Sequence, residues 1–484
     1  MKTSQREIKR SHSILDHSPE EVVTLLKKHE LRISILGLGR IGLPTAAGFA
    51  EAGARVTGID IDEEVVRQTN AGISRLTDEP GLDLVVKKNV AEGRLSATLR
   101  PETMLHDSDF IVMCVPTPVD LAKSPDYGAI RAVSHSVGKS LTKGSIVIVE
   151  STVGPGVVED IVWSIIESES GMKAGRDFGL ASCPERSDPG SIMKNMHSVP
   201  RIVGSTDVHC GDLVAALYRE GLGVEVVRVS SPKAANAVKL TENLFRDVNI
   251  ALANEFALLY EKFGIDTVEV INACATKYNF MPHYPGAGVG GPCLPSNSYY
   301  LINEGIKLGN IPYLIRLARE VNDRMPDHMV ELTAEALNEI GRTVSGARIA
   351  VLGIAYKPDV KDIQLSPIER IITRLREMHA VIEVYDPMFA GEEAMGLVVH
   401  KTMEDAVRGA NCVIVGTAHA EFKKINLASL SRMTARKAAI VDGRGVFVPA
   451  DAKKAGFAFR GVGRVALSAF RPDTRPTAST SRQA

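Results

Sequence analysis

Short runs of branched aliphatic residues recur through the first half of the chain, at 31–36, 54–60, 110–115, 145–149 and 179–182. Stretches of helix-compatible pattern separate them, so the apolar period switches repeatedly from strand-like to helix-like. That alternation predicts parallel strands with crossover helices, an α/β layer wound in both directions. The pattern returns later in the chain, with strands expected at 347–353, 381–385, 412–416 and 439–442 and a helix from Pro367 to about residue 378. Between the two blocks, Ser231-Pro232 is a strong helix start, and no glycine or proline interrupts residues 233–263. Ala235, Val238, Phe245, Leu252, Phe256 and Leu259 are expected to form the apolar face of this long helix. Before the first strand, Ser18-Pro-Glu-Glu21 supplies an N-cap, a proline at the first helical position and a capping-box glutamate, followed by Val22, Val23, Leu25 and Leu26. A short amphipathic helix should therefore precede the first domain.

The first strand runs directly into Gly37-Leu-Gly39-Arg40-Ile41-Gly42 and then a helical stretch at 44–52. In such a turn Gly37 permits the tight bend, Gly39 lets a diphosphate approach the backbone, and Gly42 lets helix and strand pack closely. The free N–H groups and dipole of the helix start favour that anion. The second strand ends at Asp60, which suits a ribose diol and would repel a 2′-phosphate, so NAD is the expected cofactor. The competing reading is an ordinary strand-turn-helix corner. The later α/β block lacks the glycine fingerprint, which points to a different and also phosphorylated ligand, with Lys357 a candidate diphosphate contact. The expected architecture is α/β, with two doubly wound Rossmann-like domains joined by a helical middle domain built on one long central helix. The expected boundaries are an N-terminal extension with a short helix at 1–30, a NAD-binding domain at 31–228, and a helical central and dimerisation domain at 229–330. A nucleotide-binding domain follows at 331–471, then a disordered tail at 472–484.

Composition narrows the partners. Hydrophobic residues make up 44% of the 484 and charged residues 24%, with a formal net charge of -1. Such a balance offers no basic field for nucleic acid or an acidic membrane surface. No apolar run approaches bilayer-spanning length, and residues 1–30 carry both signs of charge, unlike a signal or transit peptide, so a cytoplasmic location is expected. The six cysteines are scattered, which fits a reducing compartment, and neither HExxH nor CxxC spacing occurs, so no metal site is expected.

One of those cysteines stands apart. Cys293 lies in Pro285-Gly-Ala-Gly-Val-Gly-Gly-Pro-Cys-Leu-Pro-Ser-Asn297, a backbone too rich in glycine to be a packed core. A thiol in such a loop is placed to be reached, whereas a structural cysteine behaves as a small buried hydrophobe. On the long helix, Lys239 and Asn243 stand at i and i+4 and so share one face. That pair is either a solvated surface or one wall of a polar pocket.

The ordered set of these motifs resembles the UDP-glucose/GDP-mannose dehydrogenase family over residues 31 to about 471. The residues that carry the likeness are the Gly37 to Pro44 turn, Val115-Pro116-Thr117-Pro118, Glu150-Ser-Thr152-Val153, Pro184-Glu185-Arg186, Lys239 with Asn243, and the Cys293 loop. Arg319-Glu-Val-Asn-Asp323 with Met325-Pro326, and Tyr356-Lys-Pro-Asp359 with Ser366-Pro367, complete it. Pro184-Glu-Arg186 and the 242–255 segment look most like members acting on N-acetylhexosamines. The resemblance implies a four-electron oxidation of a sugar C6 hydroxymethyl to a carboxylate at the expense of two NAD. The substrate is expected to be UDP-N-acetylmannosamine or UDP-N-acetylglucosamine.

In that scheme Cys293 is the nucleophile that forms a thiohemiacetal and then a thioester, and Lys239 and Asn243 stabilise the negative oxygen. Thr152 and Glu185 handle the hydrolytic water or the substrate proton. The resemblance also places Pro116, Thr117 and Thr152 with Arg40, Ile41 and the glycines at the cofactor. It places Glu185, Arg186, Lys239, Asn243, Arg246, Tyr284, Gly290, Lys357 and Gln364 at the substrate. A homodimer or larger homo-oligomer through the central helix is expected.

Two positions depart from the family. Four residues after the cysteine the family generally carries aspartate, and here Asn297 stands in that place. An amide orients water but cannot take its proton. Before Ser366-Pro367 the family commonly has an arginine, and this chain has Gln364. The competing readings are therefore a UDP-glucose 6-dehydrogenase, a hydrolysis-impaired protein that binds NAD and a nucleotide-sugar, and a two-electron NAD-linked hydroxyacid dehydrogenase. The last of these needs neither Cys293 nor a second α/β domain.

Overall fold

A computed structural model describes residues 13–187 and 190–465. The expected tail at 472–484 and the first twelve residues of the N-terminal extension lie outside the described residues. The chain divides into two compact units, Met1–Val248 with Gly291–Arg319 and Asn249–Gly290 with Glu320–Ala484. The expected central segment is thus shared between them, and the division falls inside two long helices, Pro232–Phe263 and Tyr313–Glu339.

The first unit is built on eight strands. They are β1 (Arg32–Leu36), β2 (Arg55–Ile59), β3 (Leu95–Thr98), β4 (Phe110–Met113), β5 (Ile146–Val149), β6 (Gly179–Ser182), β7 (Arg201–Ser205) and β8 (Val226–Val229). Their order is β3-β2-β1-β4-β5-β6-β7-β8, with every neighbouring pair parallel except β6 and β7. Alternate residues of the strands feed two cores. Ile33, Ile35, Val112 and Ile148 face one side, and Ile111, Met113, Val147 and Val149 face the other. A sheet covered on both faces by helices is what near-continuous aliphatic strands require. The winding reverses at β1, whose neighbours are β2 and β4, so a crevice opens beyond the carboxyl ends of these strands.

The short helix Pro19–Lys27 forms as its signals predict. The Ser18 hydroxyl accepts from the Glu21 N–H and the Glu21 carboxylate accepts from the Ser18 N–H at 2.7 Å, a complete capping box. Val22 and Leu26 are buried in the core that also holds Leu213 and Leu217 of the Val208–Leu222 helix. Among the described residues, no helix is long and apolar enough to cross a membrane.

The second unit carries β9 (Arg348–Leu352), β10 (Val381–Tyr385), the small ribbon of β11 (Glu393–Ala394) and β12 (Leu397–Val398), β13 (Cys412–Val415), β14 (Ala439–Asp442) and β15 (Ala458–Gly461). Its sheet runs β10-β9-β13-β14-β15, all parallel. The helix Pro367–Glu377 starts at an Ser366 N-cap and buries Ile368, Ile371, Ile372 and Leu375.

The long helix Pro232–Phe263 corrects one expectation. Phe245, Leu252 and Leu259 do not lie on its buried face but are 50%, 45% and 50% exposed. They recur every seven residues along one outward stripe. The buried face instead uses Ala235, Leu240, Leu244, Ala251, Ala253 and Ala257 together with polar Asn236, Lys239, Asp247 and Asn254. Small side chains let neighbouring backbone approach, and the polar ones are buried for reasons that lie in the site.

Candidate active site

The glycine turn after β1 has the shape its sequence predicts. Gly37 sits at φ 93°, and a Cβ there would lie 2.6 Å from the Cys114 carbonyl oxygen. A Cβ on Gly42 would strike the Gly37 carbonyl oxygen, so strand and helix are in backbone contact. Around Gly39, by contrast, a Cβ would meet nothing within 4 Å. The helix that follows, Gly42–Glu51, has no side-chain cap at Ile41, and its Leu43 N–H donates to the Gly39 carbonyl at 3.2 Å, so the helix start lies directly behind that open turn. Asp60, just past β2, accepts from the Leu38 N–H at 2.7 Å and the Asp62 N–H at 3.1 Å, which sets its carboxylate beside the turn. These features fit the diphosphate and ribose of a dinucleotide. The Arg40 guanidinium is paired with Asp78 at 2.9 Å.

The loops after β4, β5 and β6 converge at the same end of the sheet. Pro116 is exposed beyond β4, and Thr117 donates its hydroxyl to the Thr152 carbonyl at 2.7 Å, joining the two loops. Beyond β6, Glu185 is buried, and its Oε1 accepts from the Arg186 and Ser187 N–H groups at 2.7 and 2.6 Å. Burial pushes the Glu185 carboxyl up, but the charge of Arg201, the Ser187 donors and the charge of Lys239 outweigh it and hold it below its ordinary value. Arg186 pairs with Glu242 of the long helix and donates to the Pro200 carbonyl.

Cys293 is exposed and occupies the N-cap position of the helix Leu294–Lys307. A thiol there lies where the helix dipole and free N–H groups favour the thiolate. The Asn297 N–H donates to the Cys293 carbonyl at 2.8 Å, and the Asn297 side-chain oxygen accepts from the Asn243 amide at 2.5 Å. The structure thus brings Asn243 and Asn297 together one helical turn from the thiol. Lys239 lies one turn before Asn243 and is 8% exposed, so the pair is a polar pocket wall rather than a solvated surface. Arg246 is exposed.

Several polar residues to which the sequence reading gave no role at the site hold the cysteine helix in place. Asp247, one turn past Asn243, pairs with Arg319 at 2.6 Å and accepts from the Ser298 hydroxyl at 3.0 Å. Both ions are about 1% exposed. Removing one partner of such a pair strands a buried charge at a cost of about 3–5 kcal/mol. On the opposite flank the Tyr300 hydroxyl donates to the Thr117 carbonyl, so the helix carrying Cys293 is bonded to a loop expected at the cofactor. Nothing in the spacing of Asp247, Ser298 or Tyr300 sets them apart from ordinary helix positions.

The remaining expected site residues lie in the second unit. Tyr284 donates its hydroxyl to Asn272 at 2.8 Å, Gln364 is exposed, and a Cβ on Gly290 would lie 2.7 Å from the Leu365 carbonyl oxygen. Half-buried Lys357 stands in the loop after β9. That loop is pinned by Asp386, which accepts from the Ile354 and Ala355 N–H groups at 2.7 and 3.0 Å. The buried His419 ring bridges Asp386 to the Asp359 N–H, with its Nδ1 accepting from the latter at 2.9 Å. Since Nδ1 accepts, Nε2 carries the proton and donates to Asp386. Burial pushes the Asp386 carboxyl up, and His419 with the two backbone donors brings it below its ordinary value. Asp386 ends its strand as Asp60 does, yet it is fully buried and spent on the loop. This is why the second α/β unit cannot use that acid for a ribose.

Comparison with known proteins agrees with this geometry. Residues 31–221 match the NAD binding domain of the UDP-glucose/GDP-mannose dehydrogenase family, residues 233–324 its central domain and residues 350–449 its UDP binding domain. UDP-N-acetyl-D-mannosamine dehydrogenase of Pyrococcus horikoshii is 37% identical over 434 residues, covering 90% of this chain and 99% of the relative. UDP-N-acetyl-D-glucosamine 6-dehydrogenase of Pseudomonas aeruginosa is 34% identical over 405 residues, covering 84% and 94%. A solved structure of UDP-D-ManNAc dehydrogenase from Pyrococcus horikoshii superposes with a TM-score of 0.84, covering 90% of this chain and all of that one. With three domain models matched in order and relatives of this closeness along nearly their whole length, the chain belongs to the UDP-glucose/GDP-mannose dehydrogenase family.

Proposed function

We propose that this protein oxidises the C6 hydroxymethyl of a UDP-N-acetylhexosamine, UDP-N-acetylmannosamine or UDP-N-acetylglucosamine, to the carboxylate. The observation that carries the reading is the placement of Cys293 at the start of a helix whose next turn, through Asn297, is bonded to Asn243 and so to the face that holds Lys239. The names of the two relatives above support the hexosamine. The open turn at Gly39, Asp60 and the Thr117 and Thr152 loops would hold NAD, which when bound accepts the hydride of each oxidation step. Lys357 and its pinned loop would take the diphosphate of the sugar nucleotide.

The chemistry of the chain's own residues follows. Cys293 attacks the aldehyde left by the first oxidation and holds it as a thiohemiacetal, and loss of a second hydride leaves a thioester. Lys239 and the Asn243 amide donate toward the negative oxygen. Water then attacks the thioester, Glu185 takes its proton, and the Cys293 thiolate leaves. Turnover of the two UDP-N-acetylhexosamines and of UDP-glucose, with NADH counted per sugar, tests the reading. Two NADH per sugar on a hexosamine supports it, and turnover confined to UDP-glucose would move the protein to the alternative substrate.

Asn297 makes hydrolysis the vulnerable step. Intact-mass analysis during turnover should find an acyl adduct on Cys293. Asn297→Asp, which restores a proton acceptor while still accepting from Asn243, should lower that adduct and raise kcat by up to about 10²-fold. An adduct-free native enzyme with no gain in the variant would mean that Glu185 suffices.

The outward stripe of Phe245, Leu252 and Leu259, with Phe263 67% exposed, supports a homodimer through the long helix. Sedimentation of the full chain should report twice its 52.1 kDa mass. A monomer would overturn this part.

A further inference from the structure

Glu185 is buried, and the groups around it raise a question that the reaction scheme leaves open: what holds a lone carboxylate charged and aimed in a dry pocket? Arg201 is the first residue of β7 and its side chain is 2% exposed. Arginine opening a strand is usually solvated, yet this one turns inward between two carboxylates. It is ion-paired with Glu185 Oε2, and its Nη1 lies 3.8 Å from Glu150 Oε1. Its guanidinium also lies over the Tyr218 ring, 5.6 Å from the centroid.

Glu150, just past β5, has no exposed surface on its side chain and is itself braced. The Tyr218 hydroxyl donates to its Oε1 at 2.7 Å, and the Thr45 hydroxyl and Cys114 thiol reach its Oε2 at 3.2 Å each. Two buried carboxylates share one guanidinium, and the two are not equivalent. Burial, reinforced by the neighbouring Glu185 charge, keeps Glu150 above its ordinary value despite Arg201 and the Tyr218 hydroxyl. Glu185 is held below its own. The single positive charge is therefore spent mainly on Glu185, and Glu150 is the member whose carboxyl is pushed up.

We infer that Arg201 is a positioning residue for Glu185, gripping one carboxylate oxygen from β7 while the Arg186 and Ser187 N–H groups hold the other. The inference rests on the reading of Glu185 as the group that takes the proton of the hydrolytic water. Glu185 Oε2 and the Arg201 Nη atoms are closed off from solvent, and the ion pair is what faces that carboxylate oxygen. The step itself is a balanced hydrolysis. Water oxygen bonds to the thioester carbon as one of its protons passes to Glu185, and the C–S bond then breaks with its electron pair leaving on Cys293. Because Asn297 cannot take a proton, Glu185 is the acceptor on which this step depends.

The charged and titratable groups facing Glu185 are Arg201 from β7, Lys239 from the long helix, Glu150 beyond β5, Cys114 beyond β4, and Cys183 and Arg186 on its own loop, with Tyr218 of the Val208–Leu222 helix against Glu150 and Arg201. Lys239 alone among them also lowers Glu185 by its charge, and it stands after Arg201 in effect. Losing Arg201 removes the largest of the effects that oppose burial and leaves the Ser187 donors and Lys239 against it, so the Glu185 carboxyl rises.

The test compares the native full chain, Arg201→Met and Arg201→Lys, with NAD and whichever UDP-N-acetylhexosamine the native enzyme turns over. The readouts are the pH profile of kcat, the acyl-Cys293 fraction by intact mass, and the thermal midpoint. Glu185 is held below its ordinary value in the native enzyme, so its acid limb should lie at the low end of the pH profile. Arg201→Met should bring an acid limb at least about one pH unit higher, with acyl enzyme accumulating below it. Arg201→Lys, which keeps the charge, should return the limb toward the native position even where its midpoint drops. An unmoved limb in Arg201→Met together with a lowered midpoint would make Arg201 a purely structural residue and overturn the inference. If Arg201→Met does not fold, Arg201→Lys decides alone. Loss of the Arg guanidinium geometry should raise its acyl fraction at equal pH, and a native fraction overturns the inference. Absence of acyl-Cys293 in the native enzyme and in both variants, below the acid limb included, would instead remove the thioester reading, and the limb then judges Arg201 by itself.

Discussion

Replacing Cys293 with alanine should reduce four-electron turnover on the order of 10⁴- to 10⁶-fold while leaving the first hydride transfer nearly intact. The asymmetry follows from where the thiol stands. Cys293 is exposed at the start of its helix, and its role begins only when an aldehyde carbon is available to attack. The groups assigned to the first oxidation, Lys239 and Asn243, sit on a different helix, where the Asn243 amide is held by the Asn297 side chain and not by the thiol. Rapid mixing of Cys293→Ala with NAD and the sugar nucleotide should therefore give at most one NADH per sugar, with no adduct on the protein and no uronate. Two NADH per sugar from this variant would mean that water, not sulfur, adds to the aldehyde, and the thioester route would have to be given up.

How much of this could be seen in the sequence depends on whether a residue's job is local. The Ser18 capping box, the Gly37 to Gly42 turn and the i, i+4 pairing of Lys239 with Asn243 are short-range geometry, and each lies in the structure where its spacing puts it. The cysteine loop is legible only in part: Cys293 is exposed as its loop predicts, but residues 285–288 are buried and Ala287 belongs to a hydrophobic core. What failed depended on distant partners. Arg201 lies in a strand that the apolar pattern does not predict, and only the fold turns it between Glu150 and Glu185. Strand β3 carries Ser96 and Thr98, and β8 is an edge strand whose Val227 is 43% exposed, so neither has the aliphatic run of a central strand. The helix Tyr313–Glu339 continues through Pro326, a residue that reads as a stop, and buries Met325 and Met329 on either side of it. The stripe of Phe245, Leu252 and Leu259 has the period of a core face yet points outward, because period specifies that residues share a side and not what covers it.

Lys239→Ala should lower kcat by about 10²–10³-fold, equivalent to about 3–4 kcal/mol, with a much smaller change in KM. Lys239 is 8% exposed, one turn from the Asn243 amide and near the Glu185 carboxylate, and a positive charge acts there with far less screening than it would in water. The same ammonium serves the alkoxide that develops in the first oxidation and the oxyanion of the thiohemiacetal in the second. Its loss should therefore slow both hydride transfers, which separates it from Cys293→Ala in single-turnover traces. Lys239→Arg should not restore the rate, since a planar guanidinium cannot place its donors where a compact ammonium on a four-carbon stem does. A second consequence runs through Glu185, whose carboxyl Lys239 helps to hold down, although less than Arg201 does. Lys239→Ala should therefore move the acid limb of hydrolysis upward, by less than Arg201→Met. A Lys239→Ala enzyme that lost only the second hydride transfer would confine the ammonium to the sulfur-bound stage, and the alkoxide of the first would need another partner on the same wall, for which Asn243 is the group at hand.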